Sequence, residues 1–235
     1  MAPGGGLAAP GTARDHGSMG LKGVQMDPQV LEAMNEVLRT GQEMARRGLV
    51  AGSSGNCSIR VPNSDLVVIT PTSIEYDLLL QEDMCVVETG GELVEGRYKP
   101  SIEISMHLAI YEARPEIGGI VHTHQQMATA VAVAGKGIPP ILEEQVFQLL
   151  GAVELAEYAP PGTKELADKT VEALGYRNAC LLAHHGVVAV GAKIRDALLH
   201  AEIVERAAAV YLMSHLVGGP KIVPFMAADY EGKEI

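Results

Sequence analysis

The sequence predicts an α/β fold in which a central, mostly antiparallel β-sheet is flanked by helices. Short apolar segments rich in β-branched residues interleave, in mixed order, with stretches of helical periodicity. Neither an internal repeat nor a second break in composition divides this part of the chain. We therefore predict a single domain over residues 26–235, preceded by a segment of different character.

That segment, residues 1–25, is predicted to be a disordered N-terminal tail. It is rich in glycine, alanine and proline and follows neither a helical nor a strand periodicity. The alternative is an arm that packs on a neighbouring subunit, although few of its residues could anchor it.

Three helices are predicted from spacing and end signals. The first begins at Asp27, an N-cap residue, and Pro28, which suits the first turn, and it continues for about twenty residues. The second covers residues 101–114, with Ser101 as its natural cap, and the third covers residues 197–216, which are rich in alanine and leucine. The apolar residues of the first helix recur at helical spacing: Val30, Leu31, Met34, Val37, Leu38 and Met44.

Apolar runs closed by turn residues predict the strands of the sheet. The turns are TPTS and the glycine pair at Gly90 and Gly91. The predicted strands are the end of AGSSGNCSIRV, then LVVIT, CVVE, GGIVH, NACLLA and GVVAVG.

The charge of the chain bears on its partners. A formal net charge of -11 and a sequence pI of about 5.2 give a field that repels nucleic acids and anionic membranes. We therefore expect a small-molecule substrate, no nucleic-acid partner and no membrane partner. An anionic substrate would need a local cluster of hydrogen-bond donors.

Cysteine usage and hydropathy predict the compartment. The three cysteines are few and widely spaced, which argues against a disulfide framework and favours a reducing environment. The sequence contains neither an apolar run near the ~18 residues of a membrane span nor a secretion signal. We expect a cytoplasmic location.

Histidines at the ends of two predicted strands are candidate metal ligands. His122 and His124 are two residues apart at the end of an apolar strand, so their side chains point to the same side. His185 lies where another apolar strand meets a turn. Three imidazoles with one open position are typical of catalytic zinc. For one histidine a backbone hydrogen bond would be the better interpretation, but two such elements together favour a metal site.

Polar residues elsewhere suggest the rest of a site. Glu103 precedes His107 by four residues on a predicted helix, which fits either a surface ion pair or a carboxylate that ligates the metal or removes a proton. The loops GSSGN and TPTS, with the predicted helix start at Ser101, could cradle an anion such as phosphate.

Five motifs, in this order, resemble the class II aldolase/adducin family: GSSGNCSIR, ITPTSIEYD, KPSIEISMH, GGIVHTHQQMATA and LLAHHGVVAVG. The resemblance covers residues 30–220. It implies an α/β fold around a mostly antiparallel sheet. It also implies a homotetramer with fourfold symmetry and active sites at the subunit interfaces.

The resemblance also implies site residues and chemistry. The zinc ligands of the family fall on His122, His124 and His185, and its acid/base glutamate falls on Glu103, which also touches the metal. The phosphate-binding residues fall on Gly55, Asn56, Thr72, Ser73 and Ser101. The implied reaction is retro-aldol cleavage of a small ketose phosphate or a related hydroxylated carbonyl compound, with zinc stabilising the enediolate as a Lewis acid. Mn²⁺ and Co²⁺ accept similar ligands.

The chain departs from the family pattern at a few positions. Ile102 stands where the family has a second phosphate-site serine, and Ser73 replaces the usual glycine of that loop. Glu143 stands where some members of the family have an acid tyrosine, and it could either take over proton transfer or form a solvated acidic pair with Glu144. Tyr230 is a candidate for reaching a neighbouring site.

Other functions known in this family are the alternatives. Epimerases typically carry aspartate at the place of Glu103, which disfavours a 4-epimerase. The substitution at Glu143 keeps a dehydratase or a decarboxylase open. A non-catalytic, adducin-like interaction module would have eroded ligands, and the presence of all three histidines and the glutamate disfavours it.

Overall fold

The computed structural model describes residues 26–225, which contain one eight-stranded sheet with the strand order β4-β3-β2-β1-β5-β8-β7-β6. Six of the neighbouring pairs are antiparallel and one, β6 with β7, is parallel. The strands are β1 (Asn56–Arg60), β2 (Leu66–Ile69), β3 (Cys85–Glu88), β4 (Leu93–Glu95), β5 (Gly119–Thr123), β6 (Glu154–Ala156), β7 (Ala179–Leu182) and β8 (Gly186–Gly191).

Helices lie on both faces of this sheet. They are α1 (Pro28–Arg46), α2 (Ile104–Ala113), α3 (Gln126–Val133), α4 (Glu143–Leu149), α5 (Lys164–Leu174) and α6 (Ile194–Ser214). One apolar core contains residues of α1, α3 and α6, and a second contains residues of α2 and α5. The predicted α/β fold with a mostly antiparallel sheet is confirmed.

Alternation along the central strands explains the two cores. In β8, Val187 and Ala189 pack in the core with α1 and α6, whereas Val188 and Val190 pack in the core with α2 and α5. Successive strand residues point to opposite faces, so a strand buried on both sides is apolar throughout. This is why GVVAVG contains no polar residue.

Helix α1 forms as its sequence predicts. The Asp27 carboxylate accepts a hydrogen bond of 2.8 Å from the backbone N–H of Gln29, and Pro28 occupies the first turn. The buried residues Val30, Met34 and Val37 form the stripe that packs on the sheet.

Helix α2 begins later than predicted. Ser101 is not its cap: the helix starts at Ile104 and Glu103 occupies the N-cap position. The backbone N–H of Ser101 donates to the carbonyl of Thr70, and an isolated bridge joins Pro100 to Pro71. Residues 101–103 instead form a turn, in which the Ser101 hydroxyl oxygen accepts from the backbone N–H of Glu103 and the Ser101 carbonyl accepts from that of Ile104.

Several predictions meet the limits of the described range. The tail at residues 1–25 and Tyr230 lie outside it, and the single domain over residues 26–235 stays a prediction. None of the helices described in residues 26–225 is long and apolar enough to cross a membrane. Cys57, Cys85 and Cys180 are buried free thiols.

Candidate metal centre

The first two histidines come from the central strand β5, which lies between β1 and β8. His122 is fully buried and is paired in register with Asn56 on one side and Val188 on the other. Its Nδ1 lies 2.8 Å from the carbonyl oxygen of Val187, which can only accept. Nδ1 therefore carries a proton, and Nε2 is the ring nitrogen that faces the site and would bind a metal ion. His124 follows the end of the strand.

The third histidine lies on the tight turn from β7 to β8. His184, at φ 58°, has the left-handed backbone that reverses the chain, and His185 follows it. A Cβ atom at Gly186 would lie 2.2 Å from the carbonyl oxygen of Thr123. Only glycine lets this turn approach β5 closely enough for His185 to reach the other two rings.

The three imidazoles form an equilateral arrangement. Each pair of ring centroids among His122, His124 and His185 is 4.8 Å apart. The Nε2 atoms of His122 and His124 are separated by 3.0 Å. Nitrogen ligands at 2.0 to 2.1 Å from a tetrahedral zinc ion lie roughly 3.3 Å apart, close to this separation.

Glu103 supplies a carboxylate to the same point. Although it occupies the N-cap position of α2, its side chain makes no capping hydrogen bond. Oε2 lies 3.1 Å from Nε2 of His122, and Oε1 lies 3.5 Å from Nε2 of His185. Oε1 is buried without a hydrogen-bond partner. Glu103 and the three histidines form a group whose ligand atoms all lie within 4.8 Å of one another and could hold a metal ion.

The protonation pattern fits a cation. Burial lowers the pKa of His124 to about 3 and that of His185 to about 4, so both rings are neutral as ligation requires. Burial also acts to lower the pKa of His122, but the Glu103 carboxylate and the Val187 carbonyl outweigh burial and raise that pKa. A metal ion at Nε2 of His122 would take the place of the proton that this raised pKa favours. Burial raises the pKa of Glu103, but His122, His185 and the Asn56 amide outweigh it and hold the pKa well below its usual range. A carboxylate and three imidazoles facing one point match the donor set of zinc.

The group opens into a cavity of about 280 Å³ that also contains the predicted anion-binding loops. His122 does not line the cavity, because its neighbours bury it completely. Ser73 adopts φ 59°, a left-handed conformation that glycine adopts more readily than serine. The predicted residues that line the cavity are Gly55, Asn56, Thr72, Ser73, Ser101, Glu103, His124 and His185.

The structure excludes one of the two interpretations of Glu103 and places Glu143 away from the cavity. Glu103 and His107 do not form a surface ion pair, because both are buried and each bonds to a different end of the Asn56 side chain. Glu143 is exposed at the start of α4, outside the wall of this cavity, and Glu144 pairs with Arg206 at 3.1 Å instead of standing free beside it.

Pro161 is a cavity residue that the sequence does not predict. It lines the cavity together with Ser53, which belongs to the predicted GSSGN loop, and Ile102, which is 64% exposed. Nothing near Pro161 in the sequence indicates a site. Its position depends on the fold of the segment between β6 and α5.

Comparison with known proteins identifies the family. The model of the family described as Class II Aldolase and Adducin N-terminal domain matches residues 35–212. This span contains all three histidines and Glu103. The chain belongs to the class II aldolase and adducin family.

Relatives and solved structures agree with this assignment. The chain is 37% identical over 190 residues to a 5-deoxy-D-ribulose 1-phosphate aldolase of Bacillus thuringiensis serovar kurstaki, covering 80% of this chain and 88% of the relative. It is 35% identical over 194 residues to the L-fuculose phosphate aldolase of Escherichia coli strain K12, covering 83% and 88%. A solved L-fuculose 1-phosphate aldolase superposes with a TM-score of 0.81 at 32% identity, covering 85% of this chain and 96% of that one.

Proposed function

We propose that this chain is a zinc-dependent class II aldolase that cleaves a small ketose phosphate by retro-aldol chemistry. The observation that carries the proposal is the convergence of Glu103, His122, His124 and His185 at one end of a cavity lined by hydroxyl groups. The relatives support it, because their names specify aldolases acting on ketose phosphates.

The three histidines and Glu103 would hold the ion. Zinc, when bound, supplies Lewis-acid stabilisation to the negative charge that develops on the substrate oxygens as the carbon–carbon bond breaks. Mn²⁺ or Co²⁺ could replace it, since both accept imidazole and carboxylate ligands. A lysine that forms a Schiff base is then not required.

Glu103 is proposed as the acid/base group. Retro-aldol cleavage removes a proton from the hydroxyl of the departing aldehyde and adds one to the carbon that keeps the bonding electrons. The Glu103 carboxylate reaches the edge of the cavity, so it can carry a proton to or from a substrate held there. Glu143 lies outside the cavity of its own chain, so it remains a candidate acid only if it reaches the active site of a neighbouring subunit.

The hydroxyl-rich wall is proposed to bind the phosphate. Thr72, Ser73 and Ser101 offer hydroxyl donors, and the backbone at Gly55 is exposed to the cavity by the lack of a side chain. Local donors of this kind are necessary because the net charge of -11 repels an anionic substrate. Ile102 supplies no donor, so the phosphate would be held by fewer hydroxyl groups than in the family pattern.

A homotetramer in the cytoplasm is also proposed. The apolar side chains of Leu216 and Val217, beyond the end of α6, are each 86% exposed, and a neighbouring subunit would cover them. Light scattering at micromolar concentration would give four times the 24.8 kDa mass of the chain. A monomeric mass would remove the interfacial site from this proposal.

The experiment that tests the function is a cleavage assay on a panel of ketose 1-phosphates that includes L-fuculose 1-phosphate and 5-deoxy-D-ribulose 1-phosphate. We expect release of an aldehyde from at least one of them, abolition by a chelator, restoration by zinc and resistance to borohydride, which inactivates Schiff-base enzymes. Cleavage that survives chelation, or no cleavage by zinc-loaded protein, contradicts the proposal.

A further inference from the structure

A chain of buried hydrogen bonds extends from Glu103 into the core between the sheet and α2. Asn56 Nδ2 lies 2.9 Å from Oε2 of Glu103, and Asn56 Oδ1 lies 2.6 Å from Nε2 of His107. Nδ1 of His107 lies 2.7 Å from Oγ of Ser58, which is 2.9 Å from the hydroxyl of Tyr111. None of these five residues is more than 5% exposed. Ser58, His107 and Tyr111 do not line the cavity.

The direction of every bond follows from the chemistry of Glu103. An ionised carboxylate only accepts, so Asn56 must present its Nδ2 to Glu103 and its Oδ1 to His107. His107 must then donate from Nε2, which leaves Nδ1 to accept from Ser58. Tyr111 in turn donates to Ser58. The opposite orientation of the Asn56 amide would place its carbonyl oxygen against the carboxylate, two acceptors facing each other.

Nothing in its own helix fixes the Glu103 side chain, which makes no capping bond at the start of α2. Among the residues described in 26–225, the Asn56 amide makes the only side-chain hydrogen bond to this carboxylate from a residue other than a histidine. His107 is held by a bond at each ring nitrogen, and burial lowers its pKa to about 3, so the ring stays neutral.

We infer that Asn56 and His107 are positioning residues, which hold the Glu103 carboxylate between His122 and His185 and leave Oε1 free toward the metal and the substrate. This assigns Asn56 a task in addition to phosphate binding: one N–H of Nδ2 and the Oδ1 atom are used in the chain of bonds, and the second N–H of Nδ2 is left for a ligand in the cavity. The inference rests on the proposed role of Glu103. Without His107 the Asn56 amide is free to turn, and Glu103 loses its fixed orientation.

The direct test is the tautomer of His107 in the protein as purified. Long-range ¹H–¹⁵N correlation spectra of histidine-labelled protein, assigned by loss of one ring system in His107→Gln, will show the proton on Nε2. A proton on Nδ1 reverses the chain of bonds and overturns the inference. This measurement needs no substrate, so it decides the positioning chain even if the protein cleaves no ketose phosphate and the proposed function fails.

Kinetics of three variants test the consequence. His107→Leu keeps the bulk but removes the donor to Asn56, and we expect kcat to fall by about 10- to 100-fold, the usual effect of losing a group that orients a metal-site residue, with KM changed by less than about 3-fold. His107→Gln places an amide N–H near the position of Nε2 and should recover most of kcat. His200→Leu is the matched control, a buried histidine of α6 whose Nδ1 bonds to the carbonyl of Val190 at 2.7 Å.

Equal losses in His107→Leu and His107→Gln, or a loss in His200→Leu as large as in His107→Leu, would make the effect a general packing defect and overturn the inference. A change carried by KM instead of kcat would do the same, because it would place His107 in substrate binding. Bound metal, measured on the same samples, should stay near that of the unchanged protein.

Discussion

His122 donates from Nδ1 to the carbonyl oxygen of Val187 across 2.8 Å, in the strand beside its own. The carbonyl oxygen of Val187 thus fixes a proton of His122 on Nδ1. The pairing of the two strands orients the ring so that Nε2 faces Glu103 and His124. The candidate metal centre is therefore built into the register of β5 and β8, which pairs His122 with Val188.

Replacing His122 tests whether the centre depends on this ligand. In His122→Ala we expect bound metal to fall to a small fraction of that in the unchanged protein, and aldol cleavage to be lost with it, because one imidazole of three is removed. Metal is measured by elemental analysis. The control is His215→Ala, at an exposed position after α6, which should keep both. Full metal content in His122→Ala would rule out this ligand.

Replacing Glu103 tests the acid/base role. Glu103→Gln keeps shape but removes the base, so kcat should fall by about 10² to 10⁴, the usual contribution of general acid/base catalysis, while metal content falls much less. Glu143→Gln is the comparison. Near-normal turnover in Glu103→Gln together with inactivity in Glu143→Gln would move the proton chemistry to α4 and favour a dehydratase or a decarboxylase.

The hydroxyl of Ser101 tests the phosphate site. Its oxygen accepts from the backbone N–H of Glu103 at 3.3 Å, which leaves its proton free to donate into the cavity. Ser101→Ala should raise KM for a phosphorylated ketose by about 10-fold. This factor corresponds to the lower end of the free energy that a hydrogen bond to a charged group contributes. Steady-state kinetics with Ser64→Ala as control measures this. An unchanged KM would place the phosphate elsewhere.

Gly186 tests the close approach of the histidine turn to β5. In Gly186→Ala the new Cβ would meet the carbonyl oxygen of Thr123 at 2.2 Å, so the strands must separate, and the free energy of unfolding should fall by about 1 to 3 kcal/mol. Metal affinity should fall too, because His185 moves. Gly90→Ala, whose Cβ meets nothing within 4 Å, should change the free energy of unfolding by less than about 0.5 kcal/mol. Denaturant titration of both compares them.

The histidine positions could be predicted from the sequence because strand periodicity alone places His122 and His124 on one side. The start of α2 could not, because the segment before it is held by contacts between residues far apart in the chain: Pro100 bridges to Pro71, and Ser101 donates to the carbonyl of Thr70. Ser101 has the side chain of a typical cap, but its hydroxyl oxygen accepts from the backbone N–H of Glu103, in the turn that precedes the helix.

The role of Asn56 also depends on contacts between distant residues. Its partners, Glu103 and His107, are 47 and 51 positions away in the sequence, so only the fold reveals their contact. Helix α5 was missed although its signals are local: Thr163 caps it by accepting from the backbone N–H of Leu166, and its buried residues follow helical spacing.

The central claim is that a divalent metal bound by His122, His124 and His185 is required for cleavage. Its most direct test is elemental analysis of protein purified without chelator, with activity measured after chelation and after zinc is returned. The account predicts about one equivalent of metal per chain, and ketose phosphate cleavage that is lost on chelation and recovers with zinc. Less than about a tenth of an equivalent of any divalent metal, with no activation on adding it back, would contradict the account.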